Sequence, residues 1–226
     1  MKSNFFPIVL IVGGLVALLW IGTRLFQPQP ILATTANDIQ RTADKTQAVT
    51  GKAVVAACGK GAKIILVHPP EPSAEGEARK ELEAMKCFLD IMEDKNIEVV
   101  AKVFYPALPN SDTGNTVAVT QNLSAAWLAQ LAGKHPDAKA IVSFSGLPVF
   151  PKDMRAEDFK GKLLPMVCVE GDMTKLADAM RAGIVLAAVA PRGGPPPKKL
   201  GDNWFDQIYM TVTPGNLDKW QANQAK

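Results

Sequence analysis

Hydrophobic and polar positions divide the chain into three stretches of different pattern. The first is a continuous apolar run, FFPIVLIVGGLVALLWIGT at residues 5–23, without a charged residue. About 20 apolar residues cross the hydrocarbon core of a bilayer as a helix, so the run predicts one N-terminal transmembrane helix. Pro7 falls in its first turn, where a missing N–H costs little, and Trp20 falls near the far headgroup region. Lys2 and the terminal amine precede the run, which favours a cytoplasmic N-terminus. A cleaved signal peptide would carry a shorter apolar region followed closely by small residues. Arg24, Leu25 and Phe26 follow instead, so an uncleaved signal-anchor over residues 1–26 is expected ahead of cleavage or a buried core helix.

Residues 27–58 are polar and read as a spacer with a lead-in helix. Gln27-Pro28-Gln29-Pro30 stops the first helix, and apolar positions return at Val49, Ala53, Val54 and Ala57. That spacing predicts a helix over about 37–58, closed by Gly59, with a face to dock on a domain.

From 59 to 226 the pattern alternates. Ile64-Ile65-Leu66-Val67 is a short unbroken apolar run, the mark of a strand buried on both faces. A helix over 74–94 is expected to turn Leu82, Met85, Leu89 and Met92 inward, with Phe88 beside them. A strand at 97–104 follows, then a helix at 117–132 with Leu123, Trp127 and Leu131 on its inner face. Further strands are expected at 140–144, 164–169 and 184–190, with a short helix carrying Leu176 and Met180 before the last. Residues 207–212 suggest an edge strand. The rhythm predicts an α/β domain, a Rossmann-like three-layer sandwich with a mostly parallel five- to six-stranded sheet.

Composition narrows the classes. The chain has 226 residues, 47% hydrophobic and 21% charged, which excludes a disordered protein. Three cysteines are too few for a disulfide scaffold. The net charge of +3 is largely Lys2 and Arg24 flanking the apolar run, so no nucleic-acid partner is implied.

In doubly wound sheets ligands bind beyond the carboxyl ends of the strands. The polar residues there are His68 and Glu71 after the first strand, Ser145 after the third, Glu170 and Asp172 after the fourth, and Arg192 after the fifth. These are the candidate ligand-binding residues. Each also has a plainer use: a proline-held turn around His68, a serine turn at Ser145, a helix cap at Asp172, a partner for Glu170 in Arg192.

Familiar chemical motifs are absent. Gly59-Lys60-Gly61 precedes its strand, whereas a dinucleotide fingerprint follows one. No Gly-Lys-Ser/Thr occurs, and Ser145 lacks the glycine two residues before it that a hydrolase elbow needs. His68, His135, Cys58, Cys87 and Cys168 show no metal-ligand spacing, so neither a metal nor a cofactor is expected.

Three segments resemble one lobe of the type I periplasmic (sugar) binding proteins. They are Gly61-Ala62-Lys63-Ile64-Ile65-Leu66-Val67-His68, Pro136-Asp137-Ala138-Lys139-Ala140-Ile141-Val142-Ser143, and LADAMRAGIVLAAVAPR at 176–192. The resemblance covers about residues 60–215 and implies a substrate-binding domain closing on a small polar, sugar-like ligand. Members carry two lobes. Only residues 145–175 separate the third strand from the late helix here, so one lobe is expected.

These readings lead to a single-pass, membrane-anchored protein whose periplasmic domain binds a small polar ligand or an envelope protein without catalysis. A homodimer could supply two lobes. The alternatives are a small-substrate enzyme with His68 as general base, assisted by Glu170 or Arg192, and a structural accessory subunit of a membrane complex.

Overall fold

The computed structural model describes residues 36–68, 85–105, 123–149, 155–169, 173–193 and 203–224. Two compact units divide between Ile39 and Gln40, and the second runs from Gln40 to Lys226. The predicted anchor at 5–23 lies outside the described residues. Among the described residues no helix is long and apolar enough to cross a membrane.

Helix α1, Ala36–Cys58, has the predicted extent and ends where the Gly59 N–H donates to the Val55 carbonyl. Strand β1 is Lys63–His68, α2 is Lys86–Asp94 and β2 is Glu98–Phe104. A two-residue strand β3, Leu123–Ser124, leads into α3, Ala125–Lys134, and β4 is Ala140–Ser143. After β5, Pro148–Val149, and a 3₁₀ turn at Ala156–Phe159 come β6, Met166–Val169, α4, Met173–Arg181, and β7, Val185–Pro191. The chain closes with α5, Trp204–Ile208, β8, Tyr209–Val212, and α6, Leu217–Gln224.

The main sheet has six strands in the order β2-β1-β4-β6-β7-β8. All neighbours run parallel except β8, which pairs antiparallel with β7 as the expected edge strand. Alternation along β1 divides the core: Ile64 and Leu66 face one layer, Ile65 and Val67 the other. The first layer holds Val54 of α1 with Phe88 and Met92 of α2. The second holds Leu128 and Leu131 of α3, Leu176 and Met180 of α4, and Trp220 of α6. The three-layer sandwich is therefore present.

Helix α1 belongs to this core. Its Gln47 Oε1 accepts the Phe88 N–H at 3.4 Å, serving one of the donors that a helix start leaves unpaired. At Gly51 a Cβ would stand 3.1 Å from Ile91 Cδ1, so the glycine permits the close approach of the two helices.

Two predicted helices differ in detail. In the described part of the 74–94 segment, Phe88 rather than Leu89 is fully buried between Met85 and Met92. The helix is rotated so that the largest side chain lies on the sheet, in edge-to-face contact with Phe144. In the 117–132 segment, Leu123 is not helical: β3 pairs in parallel with β5. The helix begins at Ala125, and its inner face is Ala125, Leu128 and Leu131, with Trp127 half-buried.

Candidate functional site

The sheet order places β2 on one side of β1 and β4 on the other. The β1–β4 boundary is thus a topological switch point, the position at which sheets of this kind hold ligands beyond their carboxyl ends. His68 is the last residue of β1. The register continues past β4 because the Phe144 N–H donates to the Val67 carbonyl at 3.0 Å, which sets Phe144 beside His68. On its other flank His68 is paired with Phe104, their ring centroids 5.3 Å apart.

His68 is 1% exposed, and its Nε2 has no hydrogen-bond partner among the described residues. Burial drives its pKa down from 6.5 to about 4, with the Lys102 ammonium adding to the effect. Desolvation penalises the charged ring, so the imidazole is neutral at pH 7.

Ser145 lies just past the end of β4 and is 3% exposed, and its Oγ likewise has no partner among the described residues. The turn around it is ordered by Ser143, whose Oγ donates to the Gly146 carbonyl at 2.9 Å and accepts the Ser145 N–H at 3.2 Å. Ser143 therefore supplies the serine turn, and the Ser145 hydroxyl is left over. Most buried polar side chains find a partner, so two orphaned atoms at one switch point stand out.

Arg192 follows β7 as expected and is exposed. Its Nε donates to the Asp206 carbonyl and its N–H to the Ile208 carbonyl at 2.7 Å, so it is tied to the α5 segment. Glu71, Glu170 and Asp172 lie outside the described residues. The structure thus brings His68 and Ser145 to one boundary and sets Arg192 two strands away from β4.

Sequence reasoning missed Tyr105, buried just beyond β2. Its hydroxyl accepts the Ser124 N–H at 3.1 Å, and its ring meets Trp127 edge-to-face. An aromatic residue directly after a strand was the available signal. The three cysteines are unbridged. Among the described residues no cluster of His, Cys, Asp or Glu could hold a metal ion.

No family model matches the chain, and no curated protein matches it. Its fold is similar to that of solved sugar-binding proteins. The substrate-binding protein of a sugar ABC transport system from Bordetella parapertussis matches with a TM-score of 0.50 at 13% identity, over 81% of this chain and 60% of that one. A periplasmic ribose ABC transporter protein from Conexibacter woesei gives 0.48 at 14% identity, over 81% and 61%. An arabinose-binding protein from Geobacillus stearothermophilus gives 0.46 at 14%, over 79% and 63%. The chain spans about three fifths of the length of these structures. The likeness expected at the level of a single lobe is present in the fold.

Proposed function

We propose that this chain is a non-catalytic binding domain that takes a small, polar, sugar-like ligand at the carboxyl edge of its sheet. The observation that carries the reading is the pair of buried, unpartnered polar atoms at the switch point, His68 Nε2 and Ser145 Oγ. A neutral imidazole nitrogen and a hydroxyl both suit ligand hydroxyl groups, because each exchanges hydrogen bonds without bringing a charge. Glu71, Glu170, Asp172 and Arg192 belong to the same proposed rim.

The test is thermal unfolding of the full chain with and without a panel including D-ribose and D-arabinose. Ligand at one hundred times its Kd stabilises by about 2.7 kcal/mol, which raises the Tm of a domain this size by roughly 5–10 °C. His68→Ala and Ser145→Ala should each reduce that rise. A panel that leaves Tm unmoved, or variants that respond like the parent, would remove the reading and favour the structural-subunit alternative.

The membrane address is part of the same proposal and rests on residues 5–23. The full chain should resist carbonate extraction from membranes, and a chain starting at residue 27 should not. Extraction of the full chain would refute the anchor while leaving the binding site untouched.

A further inference from the structure

The exit of β7 is held from several directions. The Pro191 carbonyl accepts two side-chain donors from α6, Trp220 Nε1 at 2.8 Å and Gln224 Nε2 at 3.0 Å. Gly193 has a φ of +74°, and a Cβ there would stand 2.6 Å from the Gln224 carboxamide. Only glycine adopts that backbone readily and leaves the room. The helix α6 is itself moored: Trp220 is 1% exposed, and Gln221 Oε1 accepts a hydrogen bond from Arg181 at 2.7 Å.

Between Pro191 and Gly193 stands Arg192, with its backbone N–H bonded to Ile208 and its Nε to Asp206. Its terminal Nη1 and Nη2 have no partner among the described residues. An arginine fixed through backbone and Nε keeps a planar fork of donors without the usual freedom of its long stem.

We infer that the C-terminal helix α6 is a latch, with Gln224 and Trp220 as positioning residues that preset Arg192 to receive two adjacent oxygens of a polar ligand. The inference rests on the proposed place of Arg192 in the ligand rim. Preorganisation acts by removing the cost of ordering the side chain when the ligand arrives. Gln224 is the residue to test, because it is half-buried and its loss spares the core, whereas Trp220 is part of the core.

The experiment uses the full chain in mild detergent, comparing parent, Gln224→Ala, Arg192→Ala, the double variant of these two, and His68→Ala. Hydrogen exchange is read over residues 190–193, and D-ribose and D-arabinose are titrated calorimetrically. Gln224→Ala should speed exchange of the Arg192 amide about tenfold and weaken sugar binding by about 3–10-fold. Arg192→Ala should weaken binding at least as much without faster exchange, and the double variant should bind no more weakly than Arg192→Ala. Unchanged exchange in Gln224→Ala overturns the latch, as does a double variant weaker than Arg192→Ala. If Arg192→Ala binds like the parent while His68→Ala does not, the latch is wrong and the switch-point site stands. If the parent binds neither sugar, the sugar reading fails and the exchange rates alone decide the latch.

Discussion

His68 should give the domain a measurable loss of stability in mild acid. Its folded pKa of about 4 lies below the unfolded value of 6.5, because burial disfavours the imidazolium and Lys102 opposes it further. Between these values the unfolded chain binds a proton that the folded chain refuses, so stability falls as pH falls from about 6.5 to about 4. Above that window both states are neutral and the effect vanishes. Going from about pH 7.5 to about pH 4.5, linkage gives on the order of 2 kcal/mol. Carboxylates titrate over part of the same range, so the measurement must be a difference. Urea unfolding of the parent and of His68→Gln at both pH values isolates the histidine, since glutamine fills similar space and stays neutral. The parent should lose about 2 kcal/mol more than His68→Gln on acidification. Equal losses would show that the ring is solvated or charged in the folded state, and the neutral, orphaned Nε2 would then no longer support a ligand site.

Other consequences concern packing and the sheet edge. Phe88→Ala should cost about 3–5 kcal/mol in urea unfolding, because the ring is fully buried and contacts Phe144 edge-to-face; a cost below about 1 kcal/mol would contradict the rotated face of α2. Asn216→Ala should cost about 1–2 kcal/mol, since the side chain accepts the Thr213 N–H at 2.8 Å and donates to the Thr211 carbonyl at 3.0 Å. The same change should raise the apparent mass in light scattering, because it frees backbone groups along edge strand β8. An unaltered mass would mean that Asn216 does not guard the edge.

What was legible in the sequence follows from how each element is buried. β1, β4, β6 and β7 are covered on both faces and therefore stand out as apolar runs. The helix α1 was readable because its apolar positions recur at helical spacing and Gly59 ends it. The helix α6 was not, because LDKWQANQ buries only Leu217 and Trp220, too few positions to define a period. The two-residue strands β3 and β5 have no periodic signature at all, and their pairing is what moved the start of α3 to Ala125. For the site, topology pointed to His68 and Ser145 as residues at strand ends. That their polar atoms are both buried and unpartnered depends on packing by distant segments, which no local pattern encodes.

The two outer strands bear on where a partner or ligand can meet this domain. At β2 the register jumps from Val99 to Ala101 opposite Ile64 and Ile65, so Val100 forms a bulge. Bulges and charged residues blunt an edge, and exposed Glu98 and Lys102 lie on either side of this one. The bulge also turns Glu98 and Lys102 to opposite faces, so a second β2 could not align both charge pairs across an antiparallel junction. At β8 the Asn216 amide occupies groups that a further strand would need. Both ends of the sheet are therefore guarded against strand addition. A homodimer built by continuing the sheet is disfavoured on this geometry. On the proposed site at His68 and Ser145, a second copy facing the carboxyl edge would share the ligand rather than extend the sheet. Ligand-dependent dimerisation, read as a rise in mass with D-ribose that His68→Ala abolishes, would separate a two-chain clamp from a single-lobe binder, whose mass stays constant while its Tm rises.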